Sequence, residues 1–200
     1  PDSFDVHVKW IQDMPWLLPI EVLFIFIPIA FHALFGVLIA WQGKLNQFQY
    51  PYMDNWRYTL QRVTAWITLV FVAVHLAHFR FAHWFGGEHF AAAPNFFNLT
   101  QQGFLNLWLP TWLWMVLYAI GLTAAVFHFC NGIVTFCITW GLVVGVAPRK
   151  KLSIAAGGLG VVLMVWGVTS LYALGAVTKA AHPEAKAAVA EHRVSLHSEP

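Results

Sequence analysis

With 59% hydrophobic and only 10% charged side chains among 200 residues, and a mean hydropathy of +0.62, this chain is too apolar for a soluble domain, which carries about 25% charge. The formal net charge of +2 excludes a nucleic-acid binder that works by neutralising phosphates. Two cysteines in one apolar run, Cys130 and Cys137, carry no disulfide pattern, and the composition describes an integral membrane protein.

The chain opens on Pro1 rather than methionine, and Asp2, Asp5 and Asp13 stand where a signal peptide would need positive charge. Residues 3–16, SFDVHVKWIQDMPW, alternate apolar and polar groups as an interfacial amphipathic helix does. Four runs then reach the roughly 20 apolar residues that a membrane-crossing helix needs: about 17–41, 63–84, 109–143 and 153–178. They are continuous rather than alternating, which excludes a strand barrel. The expected fold is an all-α transmembrane bundle of four spans. Pro28 removes a backbone donor inside the first span and is expected to kink it; the third is long enough to tilt or to project beyond the bilayer. Residues 1–178 form one membrane domain, and the polar, small-residue-rich stretch 179–200 forms a mobile C-terminal tail.

Orientation follows from the basic residues of the short loops. Lys44, Arg57 and Arg62 lie in 42–62, and Arg149, Lys150 and Lys151 in 144–152, whereas 84–108 holds only Glu88. The first two loops are therefore expected to face the cytoplasm. Trp84, Trp108 and Trp112 mark the outer interface, and Trp41 and Trp140 the inner one. With four spans both ends lie outside, which suggests a further span upstream of residue 1.

Three of the spans each hold a histidine: His32 in IAFHALFGV, His75 in FVAVHLAHF and His128 in VFHFCNG. A titratable ring in hydrocarbon is costly and marks function. One explanation is haem, whose iron takes a neutral imidazole from each of two helices. Four residues is about one turn, so Gly36 shares a face with His32, and Gly132 with His128, leaving room for a flat macrocycle. His75 has Phe71 and Phe79 at those offsets, able to pack on a porphyrin face. The other explanation is hydrogen bonding between helices. No carboxylate or thiolate cluster has zinc spacing, and C-x-x-C-H is absent, so a haem here is non-covalent, of b type. Arg62 and Gln61, in LQRVT, could donate to its propionates or serve as ordinary interfacial anchors. His78 could join a site or lie at the interface. His83 and His89 lie at or beyond the outer edge, His7 is interfacial, and His182, His192 and His197 belong to the tail.

Three stretches together, IAFHALFGV, YPYMDNWRYTLQRVTAWITLVFVAVHL and VFHFCNGIVTFCITWG, resemble the diheme cytochrome b subunit of succinate:menaquinone oxidoreductases, the anchor related to the quinol:fumarate reductase cytochrome b. The resemblance runs in order over about residues 10–150. It implies five spans and four histidines holding two stacked haems. His32 and His128 match the ligands of the inner haem, and His75 one ligand of the outer haem, whose partner would come from a helix before residue 1. Counting helical rise puts the three histidines at similar depths, so this pairing comes from the resemblance alone. The resemblance further implies that electrons reach menaquinone from succinate through a flavoprotein subunit and an iron–sulfur subunit, in a bacterial cell membrane. Succinate itself would not be oxidised by this chain. Some fumarate-reducing members carry a glutamate two residues before the histidine matching His128; here it is Val126, which points to succinate oxidation. For the quinone, Asp13 between Trp10 and Trp16 is one candidate and Glu21 a second, with a helix end-cap at the membrane surface as the other role open to Asp13. The alternatives are a cytochrome b anchor of a hydrogenase or formate dehydrogenase, or a non-haem membrane transporter.

Overall fold

A computed structural model describes residues 2–81 and 110–196, with backbone alone at 2–5, 78, 111 and 176–196. The expected positions Trp84, Trp108, His83, His89 and Glu88, and the side chains of His78, His182, His192 and His197, therefore lie outside the described residues. Every regular element described is helical.

The amphipathic segment forms α1, Asp2–Gln12. Pro15 prevents its continuation, and Trp16 turns the chain through a left-handed conformation at φ 67°. The first membrane helix, α2, is Leu17–Gln42. It contains a π segment, Val22–Phe26, in which the Ile27 amide reaches back to the Val22 carbonyl. That extra residue per turn lies just ahead of Pro28, where the regular ladder lacks a donor. A third helix, α3, is Met53–His75, followed directly by a second π segment, Leu76–Arg80. Then come α4, Thr111–Thr139, and α5, Val146–Leu196, so the helical backbone runs on into the segment expected to be a tail. Gly141 (φ 68°) ends α4 in the left-handed region, where a glycine avoids the side-chain clash.

Among the described residues three helices, not four, are long and apolar enough to cross a membrane: Leu17–Gln42, Trp112–Thr139 and Val146–Gly175, of 26, 28 and 30 residues. At about 1.5 Å per residue each exceeds the ~30 Å hydrocarbon core. The span expected at 63–84 is helical as far as Arg80, but its helix starts at Met53. Its first turns carry Asp54, Arg57, Gln61 and Arg62, which lower its hydropathy. They also give it the polar face on which the bundle is organised.

The central helix is α4, which packs against α3 on one side and α5 on another; α2 meets α3 along a thinner seam. The buried apolar residues Tyr118, Ala124, Cys130 and Val134 are all on α4, and Ala156 is on α5. Small residues set the approach, as membrane helices require in the absence of a hydrophobic drive between them. A Cβ on Gly167 would stand 2.6 Å from the Leu122 side chain, and one on Gly175 2.7 Å from the end of Met115. A Cβ on Gly121 would run into the ring of Phe71, so that glycine closes the α3–α4 contact. Gly167→Leu is therefore expected to force α5 off α4 and cost about 1–3 kcal/mol, the usual penalty of overpacking. Thermal unfolding in detergent reads this as a lowered midpoint, and an unchanged midpoint would contradict the packing.

Candidate functional site

Between α2 and α3 runs an apolar groove of about 140 Å³, which His128 of α4 closes. On the α2 side Ala33, Gly36 and Ala40 line it at spacings of three and four, so the wall is a strip of small side chains. Ala65, Trp66, Leu69 and Val72 of α3 form the other wall. A Cβ placed on Gly36 would meet nothing within 4 Å, so the space expected beside that glycine is open. The imidazoles of His32 and His128 face each other with ring centroids 6.1 Å apart and planes at 75°.

That separation suits a shared metal. Two ring nitrogens at about 2.0–2.1 Å from an ion, with the distance from each nitrogen to its ring centre added, place the centroids about 6 Å apart. Among the described residues no three metal-ligating side chains cluster, so a tetrahedral cage is not built here. Two axial donors in an apolar groove fit a metal whose other ligands come from a macrocycle. The His128 ring is oriented from behind. Its Nδ1 lies 3.2 Å from the backbone carbonyl of Gln61, to which it can donate. The Gln61 amide nitrogen lies equally near Nδ1, but it donates to the His128 carbonyl at 3.1 Å. The carbonyl therefore takes the Nδ1 proton, an assignment by partners, and the Nε2 lone pair is left to bind a metal.

Gln61 is the hub of this region. Its Oε1 accepts from Asn131 Nδ2 at 2.8 Å; Asn131 Oδ1 accepts from Arg57 Nε at 2.9 Å; and Arg57 Nη1 donates to Ser153 Oγ at 3.3 Å. One polar chain thus joins α3, α4 and α5. Gly132 stands beside the hub: a Cβ there would lie 3.5 Å from Gln61 Nε2. The room it makes is taken by the glutamine amide, and Gly132 does not line the groove. Arg62, next along, stacks its guanidinium 3.4 Å over the Tyr58 ring and packs against Gly43. Its Nε is buried without a partner, as is Thr68 Oγ1 on the groove wall. An unpaired buried donor is costly, and the rest of the guanidinium is engaged by Tyr58, whose carbonyl accepts from Nη1 at 3.3 Å.

His75 stands apart from this pair, with Phe71, Phe79 and the buried Tyr118 around it at 5.8, 4.8 and 6.1 Å between centroids. Of the two acidic candidates, Asp13 pairs with Lys9 one turn earlier at 3.1 Å on an exposed surface. Glu21 is held by Arg80, whose Nη2 donates to it at 2.7 Å and whose Nε lies 3.1–3.2 Å from both oxygens. This pair joins the start of α2 to the π segment that follows α3. Sequence reasoning passed over Arg80, Asn131 and Arg57. The signal for Arg80 was available, since one acid and one base, each alone in an apolar run, are expected to seek each other.

Compared with known proteins, the chain is 35% identical over 151 residues to the succinate dehydrogenase cytochrome b558 subunit of Bacillus subtilis (strain 168), a match covering 75% of this chain and 68% of that protein. No family model and no solved structure matches the chain.

Removal of the hub should be felt along the whole polar chain. Gln61→Leu and Asn131→Leu are each expected to cost about 1–3 kcal/mol by leaving buried groups unpaired. The double variant should cost clearly less than the two together, because they share one network. Unfolding midpoints of the three variants check this, and additive losses would contradict the coupling.

Proposed function

The chain belongs to the family of succinate dehydrogenase cytochrome b subunits, and from that premise we propose that it is the membrane anchor that passes electrons from an iron–sulfur subunit to menaquinone. The observation that carries this reading is the pair of imidazoles facing each other across an apolar groove. Haem b, the cofactor of this family, supplies a one-electron carrier where the side chains themselves offer none.

The residues divide the work of holding it. His32 and His128 would give the two imidazole nitrogens that hold its iron, and the Gln61 carbonyl keeps His128 in the tautomer that can ligate. Gly36, with Ala33 and Ala40, leaves the groove wide enough for a ring edge. Arg62 offers its unpaired Nε to a propionate. Gln61 acts as the strut that keeps α4 at this distance, rather than as a propionate donor. His75, flanked by Phe71 and Phe79, is the ligand of a second, outer haem. The segment 42–62, a short connection plus the first turns of α3, and the segment 144–152, which opens α5, face the cytoplasm and dock the iron–sulfur subunit, which in turn carries the flavoprotein subunit where succinate is oxidised. Val126 provides no carboxylate two residues before His128, which speaks against the proton route of the fumarate-reducing members and for succinate oxidation.

His32→Ala or His128→Ala should abolish one haem, because water cannot replace an axial ligand in hydrocarbon. Gly36→Leu should lower its occupancy by filling the groove. The reduced-minus-oxidised spectrum, with haem counted per chain, reads all three. Normal stoichiometry in either alanine variant would overturn the assignment.

Quinone reduction requires a proton donor near the outer face. Asp13, between Trp10 and Trp16, and Glu21, in its pair with Arg80, are the candidates. Asp13→Asn and Glu21→Gln are expected to slow quinone reduction by succinate, while dye reduction by the soluble subunits and the haem content stay unchanged. A variant with an unchanged quinone rate removes that residue from the site.

A further inference from the structure

A second groove, of about 550 Å³, runs between α4 and α5. Its walls are apolar over most of their length: Val126, Cys130 and Val134 on α4 face Ala156, Gly160 and Val161 on α5. Thr123 lies far along it, with its hydroxyl already donated to the Ala119 carbonyl at 2.8 Å. The other polar groups collect at one end, where Arg57, Asn131 and Ser153 meet. Arg57 Nε and Nη1 are fixed on Asn131 and Ser153, and among the described residues Nη2 makes no hydrogen bond. The cation is thus held rigidly at the mouth of a greasy slot. Arg149, Lys150 and Lys151, all exposed in the first turns of α5, precede Ser153 by two to four residues.

The shape is that of an amphiphile. From Ser153 to Val165 the α5 wall rises about 18 Å at 1.5 Å per residue, close to the ~15 Å depth of half a hydrocarbon core. A neutral ligand would gain nothing from Arg57 and the basic turn beside it. An anionic headgroup would find a fixed guanidinium and a local positive field, the pattern by which basic pockets between membrane helices select acidic lipids. We propose that this groove holds one acyl chain of an anionic phospholipid, with its phosphate on Arg57 and the basic start of α5 adding to the attraction.

Two glycines make the test specific. Gly157 lines the groove and Gly158 does not, yet a Cβ on either meets nothing within 4 Å. Gly157→Leu should therefore fill the slot, and Gly158→Leu should point its side chain elsewhere. The purified complex is stripped with detergent and given phosphatidylglycerol or phosphatidylcholine in a concentration series, and native mass spectrometry counts the lipids retained. Phosphatidylglycerol should be retained at about tenfold lower concentration than phosphatidylcholine, as expected for attraction to a few fixed cations. Gly157→Leu should lose that preference and Gly158→Leu should keep it, both with an unchanged haem spectrum. Equal retention of the two lipids by the unsubstituted protein would overturn the proposal, as would an unaltered preference in Gly157→Leu. If Gly157→Leu loses its haem, the lipid series on the unsubstituted protein decides alone.

Discussion

An imidazole in hydrocarbon must have both of its nitrogens accounted for, and the arrangement around His128 follows from that requirement. One nitrogen is taken by the Gln61 carbonyl, a group that α3 can present only if its backbone comes close to α4. Gly132 permits the approach by having no side chain where the glutamine amide passes. The glutamine then needs partners of its own and finds Asn131, which finds Arg57, which finds Ser153. The register of three helices is set by one chain of donors and acceptors, each matched to the next within the bundle.

The second nitrogen of His128 is left facing the groove, and with it the bundle acquires a place for a ring. The two sides of α3 differ accordingly. Where α3 meets α4, packing is tight enough that Gly121 cannot take a Cβ; where it meets α2, the helices stand apart around a groove lined by alanines and glycine. Few direct contacts hold α2 in place besides the Glu21–Arg80 pair near its start. A cofactor bridging His32 and His128 would then tie α2 to the rest of the bundle, so in this family haem binding and assembly are expected to be one event. That linkage follows the rule that a group bound by the folded state alone stabilises it.

Much of this was legible in the sequence. The all-helical membrane class follows from composition and the helix at the start of the chain from its alternation; the three costly rings in apolar runs mark the histidines, but only the family resemblance pairs His32 with His128. Gly36 lies where the spacing rule puts it, beside open space. The same rule misjudged Gly132, because spacing along one helix does not tell what a neighbouring helix inserts there. The third helix was misjudged for a related reason. Asp54, Arg57, Gln61 and Arg62 looked like a loop ahead of a span, whereas they are its first turns, and the polarity of Arg57 and Gln61 is absorbed by partners 67 to 96 residues away in sequence. The composition could not separate this anchor from that of a hydrogenase or formate dehydrogenase; similarity to a named relative did. Long-range pairs such as Glu21–Arg80 leave no periodicity to read.

On the proposed reading His32 and His128 would hold one haem iron between them with their rings steeply inclined, at the 75° between their planes. Low-temperature electron paramagnetic resonance of the oxidised, purified protein tests it most directly, because the anisotropy of a low-spin ferric signal reports both the axial ligands and the angle between their planes. The account predicts a low-spin bis-imidazole signal of the strongly anisotropic kind given by near-perpendicular rings, lost in His128→Ala. A strongly anisotropic signal that kept its full intensity in that variant would contradict it.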